Sequence, residues 1–514
     1  MTKGLTNLGL DPLIDIGWSG RDRAPVRVLR QNVRLAWSPP VLRMRGRRGR
    51  FSDPTIDWSG PESITDRAPD GTPLEFGANL STCFNQSKWI AARSSTGTTA
   101  VVYAADSGVL GSPRRDVVVW FKSGSGAWTG LTIAGGTNGR VRYSNFNYPC
   151  IACDGEAFWI ACEARWELNR GPAGTGIAVF RVSDEDGSWK ATLADAAASL
   201  GGDLHRPAIA CYPSLGTSTS GAFAESSGPF VTWSGPSSTA TDLRETSIWL
   251  RDSRLGSTWE VGTPLSATAS DGTVTLWSQE LASVSVGPVG LIVAWRSVTY
   301  ASVADWLTGS ADTDDKSVRT WQVPLALYSG ATVTADAAAP VLTDLAGALL
   351  GEPPASDPSA LALPNGTMLV GYQRADRLVR SDTNIRIDQT SDSSGTSWVG
   401  AVTASQPTTT PVTGVTYTSA FFPDLTYDSG GRVAATWEAK AGDPYTTPMG
   451  ALTRAIGTPY APPTTADDFG QVTGASDTRS NYPTCVFDGT SLHIAWLETN
   501  AGGFTTIKVI LTGP

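Results

Sequence analysis

The sequence contains few charged residues, few cysteines and only two histidines. Of its 514 residues 17% are charged, and it has 6 Cys, 4 Met and 2 His. So few cysteines in so long a chain argue against a disulfide framework. A metal centre built from several histidines is excluded by their number, and a Ser-His-Asp or Cys-His mechanism would have to use His205 or His493.

Long apolar runs are also missing. The first residues, MTKGLTNLGLDPLIDIGW, show no basic region followed by an apolar stretch, so no secretory signal peptide is predicted. No segment approaches the roughly 18 apolar residues that a membrane-spanning helix needs. We therefore expect folding in a reducing cytoplasm and no membrane insertion.

Turn-forming and aromatic residues are abundant instead. The chain has 54 Gly, 33 Pro and 19 Trp, and 40% of its residues are hydrophobic. This composition favours many short strands joined by turns around a large apolar core. The sequence therefore predicts an all-β protein.

Positive charge is concentrated near the N-terminus. Residues 1–60 hold 11 Lys and Arg against 5 Asp and Glu, so the other 454 residues carry a net negative charge. Five arginines lie together: Arg43, Arg45, Arg47, Arg48 and Arg50. Such an arm is either solvated or docks other subunits of an assembly. The acidic remainder is not expected to bind nucleic acid.

An apolar strand pattern recurs along most of the chain and often ends in an aromatic residue. Seven anchors mark it: Tyr103, Cys162, Trp233, Trp295, Tyr372, Trp437 and Trp496. They are 59 to 77 residues apart, enough for four strands and their loops. The pattern therefore predicts repeated four-stranded units.

A proline precedes most anchor strands, and a glycine turn lies between the two. The Pro dipeptides are Tyr148-Pro149, Arg206-Pro207, Asp357-Pro358, Phe422-Pro423 and Tyr482-Pro483. Because proline cannot donate to a strand ladder, we expect it to open the first strand of each unit. Asp154-Gly155 and Asp488-Gly489 then indicate hairpin turns.

A second turn in several units ends in tryptophan. Its four copies are SGSGAW (123–128), SDEDGSW (183–189), DSRLGSTW (252–259) and SDSSGTSW (391–398). They resemble the Asp-box of sialidase-like, BNR-repeat β-propellers. That resemblance implies a ring of four-stranded blades in which the box lies on the outer part of the blade and its Trp packs between neighbouring sheets.

Together these features predict a seven-bladed β-propeller of four-stranded antiparallel blades, with six blades as the alternative. We divide the chain into an N-terminal arm, residues 1–70, and a propeller, residues 71–514. After Trp496 there is room for one more strand, so part of residues 15–80 is expected to complete the last blade and close the ring.

Several residues are candidates for chemistry. Cys150 and Cys153 should point to opposite faces of a strand, which disfavours a metal site, and no metal or cofactor is predicted. Glu163, Glu438 and Glu498 follow anchor strands; their recurrence favours a structural role over a glycosidase carboxylate pair.

The two histidines differ in their expected surroundings. His493 lies within a predicted strand and is expected to be packed. His205 precedes Arg206-Pro207 and could line a channel mouth.

The resemblance to sialidases also allows their catalytic parts to be sought. It implies three arginines on a substrate carboxylate, a Tyr nucleophile activated by a Glu, an Asp acid and an Arg-Ile-Pro type motif in the first blade. The first repeat reads NLSTCFNQSKWIAARSS and has no Arg-x-Pro. Arg206 directly precedes Pro207, one position from the family pattern. We therefore favour a protein that is not an enzyme.

The function predicted first is a structural or binding propeller. The composition is similar to that of tailed-phage virion proteins, which would place the chain on a virion or extracellular surface as a receptor-binding adhesin. A cell-surface glycan or protein could bind at Tyr148, Arg206 and Tyr482. The alternatives are a glycoside hydrolase on the same scaffold and an intracellular protein-interaction propeller.

Overall fold

The fold was obtained as a computed structural model. It describes residues 62–64, 88–93, 95–106, 115–169, 171–199, 202–211, 228–238, 245–253, 257–262, 276–287, 290–300, 316–324, 341–346, 355–375, 383–390, 398–403, 408–409, 416–417, 419–428, 433–440, 446–453, 469–471, 479–489, 491–499 and 505–511. Within these residues the regular structure is entirely β, which agrees with the predicted class.

The described residues form 31 strands. They are β1 (Glu62–Ser63), β2 (Ile90–Arg93), β3 (Thr98–Asp106), β4 (Arg115–Ser123), β5 (Thr129–Ile133), β6 (Gly136–Asn138), β7 (Val141–Cys153), β8 (Phe158–Leu168), β9 (Ala173–Glu185), β10 (Ser188–Ala197), β11 (His205–Cys211), β12 (Pro229–Pro236), β13 (Thr246–Asp252), β14 (Ser257–Gly262), β15 (Leu276–Val286), β16 (Gly290–Tyr300), β17 (Lys316–Pro324), β18 (Val341–Ala346), β19 (Ala355–Ala362), β20 (Met368–Ala375), β21 (Thr383–Thr390), β22 (Trp398–Thr403), β23 (Thr408–Thr409), β24 (Thr416–Tyr417), β25 (Ser419–Tyr427), β26 (Val433–Lys440), β27 (Thr446–Thr453), β28 (Phe469–Gln471), β29 (Arg479–Asp488), β30 (Ser491–Thr499) and β31 (Thr505–Leu511).

The strands pair into small antiparallel sheets that follow chain order. The first sheet is β2–β5, the second β6–β10, the third β11–β18, the fourth β19–β22, the fifth β25–β28, and the last β29–β31 with β1; β23 and β24 form a separate pair. The third sheet has two antiparallel halves, β11–β14 and β15–β18. They are joined by one parallel residue pair, Thr246 with Ser278.

Successive sheets pack face to face. Apolar clusters connect the last, first and second sheets, then each following neighbour, and finally the fifth sheet to the last. The first strands of the units also touch in succession, and β29 contacts β2. The chain therefore forms a propeller-like arrangement of small antiparallel sheets in which the last sheet meets the first.

The last sheet contains strands from both ends of the sequence. Glu62 and Ser63 pair antiparallel with Val509 and Lys508, and the Ile64 N–H donates to Ile507 O at 3.0 Å. A segment of residues 15–80 thus adds the outer strand to this sheet, as the sequence predicts. The five arginines of the basic arm lie outside the described residues, so its docking role and the boundary at residue 70 remain predictions.

The short strand β6 is not counted, so that β7 is the first strand of the second unit. All seven anchors then lie in the second strand of their unit and are at most 1% exposed. The hydroxyl groups of the two tyrosine anchors, Tyr103 and Tyr372, have different hydrogen-bond partners. The Trp120 indole N–H donates to Tyr103 Oη at 3.0 Å, whereas the Tyr372 hydroxyl donates to Asp388 at 2.8 Å. The predicted core positions are therefore confirmed.

The Trp-ended turns at residues 123–128 and 183–189 lie between the third and fourth strands of their units, whereas most of the copy at 391–398 and part of the copy at 252–259 lie outside the described residues. In the copy at residues 183–189, Asp186 and Gly187 have φ values of 55° and 79°. Trp189 stacks on Phe121 of the first sheet, with ring centroids 3.9 Å apart and planes 9° apart. This Trp packs between neighbouring sheets, as the resemblance implied. No helix in the described residues could span a membrane.

Candidate binding site at the channel mouth

The first strand of six units contains a β-bulge. Six residues there have φ between 47° and 56°: Tyr148, Arg206, Leu281, Asp357, Phe422 and Tyr482. The ladder register shifts at each of them. In five of the six the next residue is the proline noted above.

These prolines correct one expectation and the placement of the candidate ligand residues. Proline does not open the first strand: Pro149 lies inside β7 and Pro483 inside β29, each at the bulge. A bulge leaves one residue outside the ladder, so a missing N–H is tolerated there. Tyr148 and Tyr482 are therefore bulge residues inside their strands, whereas Arg206 is a bulge residue next to the beginning of β11.

A positive φ is unfavourable for a residue with a side chain, and glycine would adopt it without strain. None of the six bulge residues is glycine. The surrounding structure must therefore hold this backbone conformation, and the retained side chains contribute contacts that glycine would lack.

The backbone at three bulges is held by the preceding unit. Glu163 accepts from Arg206 N at 2.7 Å, Glu438 accepts from Tyr482 N at 2.6 Å, and Gln373 accepts from Phe422 N at 3.4 Å. All three follow an anchor directly. The structural role predicted for Glu163 and Glu438 is thus supported.

Glu498 does not belong to this set. The residue after Trp496 is Leu497, so Glu498 lies one position later, and adjacent strand residues point to opposite faces. The expectation that all three glutamates are equivalent was wrong because a one-residue offset is easily missed in a short pattern.

The same position makes side-chain links at two more interfaces. Ser234 donates to Gln279 O at 2.6 Å. Arg296 bonds Ser356 Oγ at 3.1 Å and pairs with Glu280 at 3.0 Å. Polar contacts between units therefore recur around the ends of the first strands.

Four partly exposed side chains form two pairs at these bulges, which we call the rim: Tyr148, Arg206, Phe422 and Tyr482. The Arg206 guanidinium lies 4.3 Å from the centre of the Tyr148 ring. The rings of Phe422 and Tyr482 are 5.3 Å apart. The structure thus brings together Tyr148 and Arg206 of the predicted site. It pairs the third predicted residue, Tyr482, with Phe422, which was not among the predicted ligand residues although Phe422-Pro423 is one of the Pro dipeptides.

His205 lies beside the rim. Its side chain is 48% exposed, and Nδ1 is 3.7 Å from Glu163 Oε1. The neighbouring Glu163 carboxylate raises the pKa of His205 above its ordinary value. The expectation that it could lie at a channel mouth agrees with this position.

Extensions of neighbouring units flank Arg206. Strands β7 and β15 begin well upstream of their bulges, whereas β11 begins next to Arg206. On one side Leu204 N donates to Thr175 O at 3.1 Å, and on the other Thr246 Oγ1 and Ser278 Oγ are 3.1 Å apart. Arg206 therefore lies between two first strands, β7 and β15, that begin further upstream of their bulges than β11 does.

A cavity of about 180 Å³ lies downstream of the bulges along the first strands. Ile90, Ile151, Ile209, Val284, Leu361 and Val486 contribute to its apolar lining. Apart from Ile90, whose unit has no bulge among the described residues, these residues follow the bulge positions, so the rim lies at one end of this central channel. Lys88 and Asp424 contribute charged groups to the lining.

Among the five cysteines that the structure describes, four are buried and Cys153 is half-buried. Cys150 packs between the second and third sheets, whereas Cys153 packs on the side of the first sheet, so the predicted divergence is confirmed. Burial raises the pKa of Cys153 to about 11. In the described part of the chain, no three His, Cys, Asp or Glu residues are arranged to hold a metal ion.

No protein-family model and no curated protein matches the chain. Among solved structures, it is similar to a protein of unknown function from Dyadobacter fermentans DSM 18053, with 10% identity, a TM-score of 0.41 and coverage of 85% of this chain and 99% of that one. A polysaccharide lyase, an ulvan lyase of family PL25, shows 11% identity, a TM-score of 0.49 and coverage of 85% and 93%.

A sialidase from Trypanosoma rangeli shows 11% identity and a TM-score of 0.40; the match covers 88% of this chain and 58% of the sialidase. Two of these three similar structures are named as enzymes, a polysaccharide lyase and a sialidase. Similarity at this level carries no information about the substrate or activity of this chain.

Proposed function

We propose that the protein is a non-enzymatic propeller that binds a glycan at the rim. The observation that carries this proposal is the placement of partly exposed aromatic rings and one guanidinium on left-handed bulges at one end of the channel. Aromatic faces offer an apolar surface to a sugar ring, while tyrosine hydroxyls and arginine supply polar contacts.

We further propose that the ring has seven blades. In support, the two halves of the third sheet are joined by one residue pair alone in the described register, and each half has its own anchor, Trp233 or Trp295. Counting the halves separately gives seven units with one anchor each. The six-blade alternative would treat the third sheet as a single blade.

Binding is favoured over hydrolysis because of what the nearby carboxylates do. Glu163 and Glu438 accept hydrogen bonds from the bulge backbone. Most glycosidases use two carboxyl groups that reach the scissile bond, and sialidases use a Glu to activate their Tyr nucleophile. Carboxylates held on backbone N–H groups in this way are less available for acid or base chemistry.

A panel of immobilised oligosaccharides tests the proposal, followed by titration calorimetry with the oligosaccharide that gives the strongest signal. We expect Tyr148→Ala and Arg206→Ala each to weaken binding about tenfold or more, equivalent to about 1.4 kcal/mol. Arg165→Ala is the matched control, because Arg165 is 58% exposed and lies outside the rim.

Equal affinity of the rim variants and the wild type would refute the site. Turnover of a fluorogenic sialoside or other glycoside by the wild type would instead favour the hydrolase.

We also propose that the basic arm docks the propeller into a larger assembly such as a virion. The closing strand begins at Glu62, so deletion of residues 1–60 leaves β1 in the chain. The deletion should abolish recovery in the native assembly and leave the melting temperature unchanged. A large fall in melting temperature would show that the arm stabilises the propeller itself.

A further inference from the structure

Lys88 occupies a position where the other units have no charge. Ile90 pairs with Val101, two residues before the anchor Tyr103, and Ile151 pairs with Ile160, two residues before the anchor Cys162. Lys88 is therefore equivalent to Pro149. The equivalent residues of the remaining units are Pro207, Ala282, Pro358, Pro423 and Pro483.

Asp424 is a second departure, one position further along its strand. The residues equivalent to it in the two preceding units are Ser283 and Ser359. Each serine accepts a backbone N–H of the next unit: Ala360 N at 3.0 Å from Ser283 Oγ, and Leu425 N at 3.1 Å from Ser359 Oγ.

Asp424 makes the same link to its own next unit, because its Oδ2 accepts from Cys485 N at 2.9 Å. A hydroxyl suffices for this link elsewhere in the ring. The carboxylate therefore brings a negative charge that the backbone contact does not require.

The Lys88 ammonium meets that charge across the closure of the ring. Nζ lies 3.0 and 3.1 Å from the two carboxylate oxygens of Asp424, 2.5 Å from Leu425 O and 3.0 Å from Cys485 O. Asp424 and Leu425 belong to the fifth sheet, and Cys485 belongs to the last. One side chain of the first unit thus reaches two further sheets.

We propose that Lys88 is a tethered cation that holds the ring closed. Its ammonium occupies an oxygen-lined position formed by Asp424, Leu425 O and Cys485 O, which we call the clasp. The Asp424 side chain is only 13% exposed, and Ser359 and Thr484 also donate to it at 3.2 and 2.8 Å. The Lys88 side chain is 29% exposed, so the ion pair is partly buried. Such a pair is screened less by salt than a surface pair, and removal of one partner leaves the other charge poorly compensated.

The clasp lies at the closure of the ring, where an additional attraction has a particular effect on stability. Contacts between sequential units form after short loops, whereas the last sheet must find the first across most of the chain, at a larger entropic cost. The charge pair of Lys88 and Asp424 adds an attraction at the junction with the largest separation in sequence, whereas the pair of Arg251 and Asp195 joins the second and third sheets, which follow each other in the chain. Lys88 therefore joins three sheets where the chain closes on itself.

Hydrogen exchange with peptide-level readout tests the clasp in the full chain. In Lys88→Ala we expect exchange in β2, β3, β29 and β30 to accelerate by about a hundredfold or more, with a much smaller change in β12 and β16. Because the vacated position is lined by oxygen atoms, methylammonium chloride should restore protection at the junction, whereas sodium chloride of equal ionic strength should restore less.

The double variant Lys88→Ala with Asp424→Ser distinguishes two roles of Lys88. Either Lys88 holds the junction together, or it only neutralises the charge of Asp424. It reproduces the uncharged pattern of the other units and keeps an acceptor for Cys485 N. We expect it to remain less protected than the wild type in β2 and β29, since nothing then spans the junction. This comparison also decides the matter if the single variant does not fold.

Wild-type protection at the junction in the double variant would overturn the proposal. Acceleration of exchange to the same extent in all sheets of the single variant would overturn it as well, because the clasp acts on one junction.

Discussion

Acidification should weaken the junction between the last and first sheets through one histidine. His493 on β30 is 6% exposed, and its Nδ1 lies 2.6 Å from Thr99 Oγ1 on β3. Burial lowers the pKa of His493 from 6.5 to about 4, although the nearby Asp488 acts in the opposite direction. The imidazole is therefore neutral in the folded protein at pH 5 and protonated in the unfolded chain.

The size of the effect follows from the two pKa values. Between about pH 6.5 and about pH 4 the unfolded state binds the additional proton, so the free energy of unfolding falls as the pH falls. For this shift the loss is about 2 kcal/mol at pH 5 and about 3 kcal/mol below pH 4. Above pH 7 His493 is neutral in both the folded and the unfolded state, so none of this stability is lost.

Urea denaturation of the wild type and His493→Asn at pH 7 and pH 5 measures this loss. Asparagine can still bond Thr99 but does not titrate, so the drop between the two pH values should shrink by about 2 kcal/mol in the variant. His205→Asn is the matched control. Because Glu163 raises the pKa of His205, the stabilisation that protonated His205 provides is lost as the pH rises, which is opposite to the effect of His493. An identical drop in His493→Asn and the wild type would refute the reasoning.

Three further substitutions test the packing and the bulges. Trp437→Ala should reduce the free energy of unfolding by about 3–5 kcal/mol in calorimetry, because Trp437 is 1% exposed in the core. Glu163→Ala should cost about 1–3 kcal/mol by leaving Arg206 N without its acceptor. Arg206→Gly should stay within about 1 kcal/mol of the wild type, since relief of the positive φ offsets the lost contact with Tyr148, yet it should lose glycan binding.

The repeated scaffold could be predicted from the sequence because its signals are local. The anchors Tyr103 and Trp496 end apolar runs that are buried in the second strands, and Asp154-Gly155 forms the expected turn. Strand alternation also placed Cys150 and Cys153 on opposite faces. Residues that follow a period of a few positions are thus assigned correctly without knowledge of the partner sheets.

Apart from the closing strand, the features that depend on contacts between distant segments could not be predicted. The pairing of Lys88 with Asp424 joins residues far apart in sequence, and neither belongs to a motif. The prolines were assigned to strand starts because bulges with a positive φ before proline have no simple sequence signature. The partner of Tyr482 at the rim, Phe422, belongs to another sheet and became evident only from the fold.

The pairing of β1 with β31 has a consequence for biosynthesis. On the ribosome, Glu62 and Ser63 emerge before strands β2–β30, but their partners Val509 and Lys508 are translated after those strands. The preceding sheets can assemble progressively during translation, whereas the last sheet must wait until β31 has emerged. A premature stop before Thr505 would therefore leave a nearly complete open chain with exposed strand edges, a form prone to aggregation and a natural substrate for chaperones.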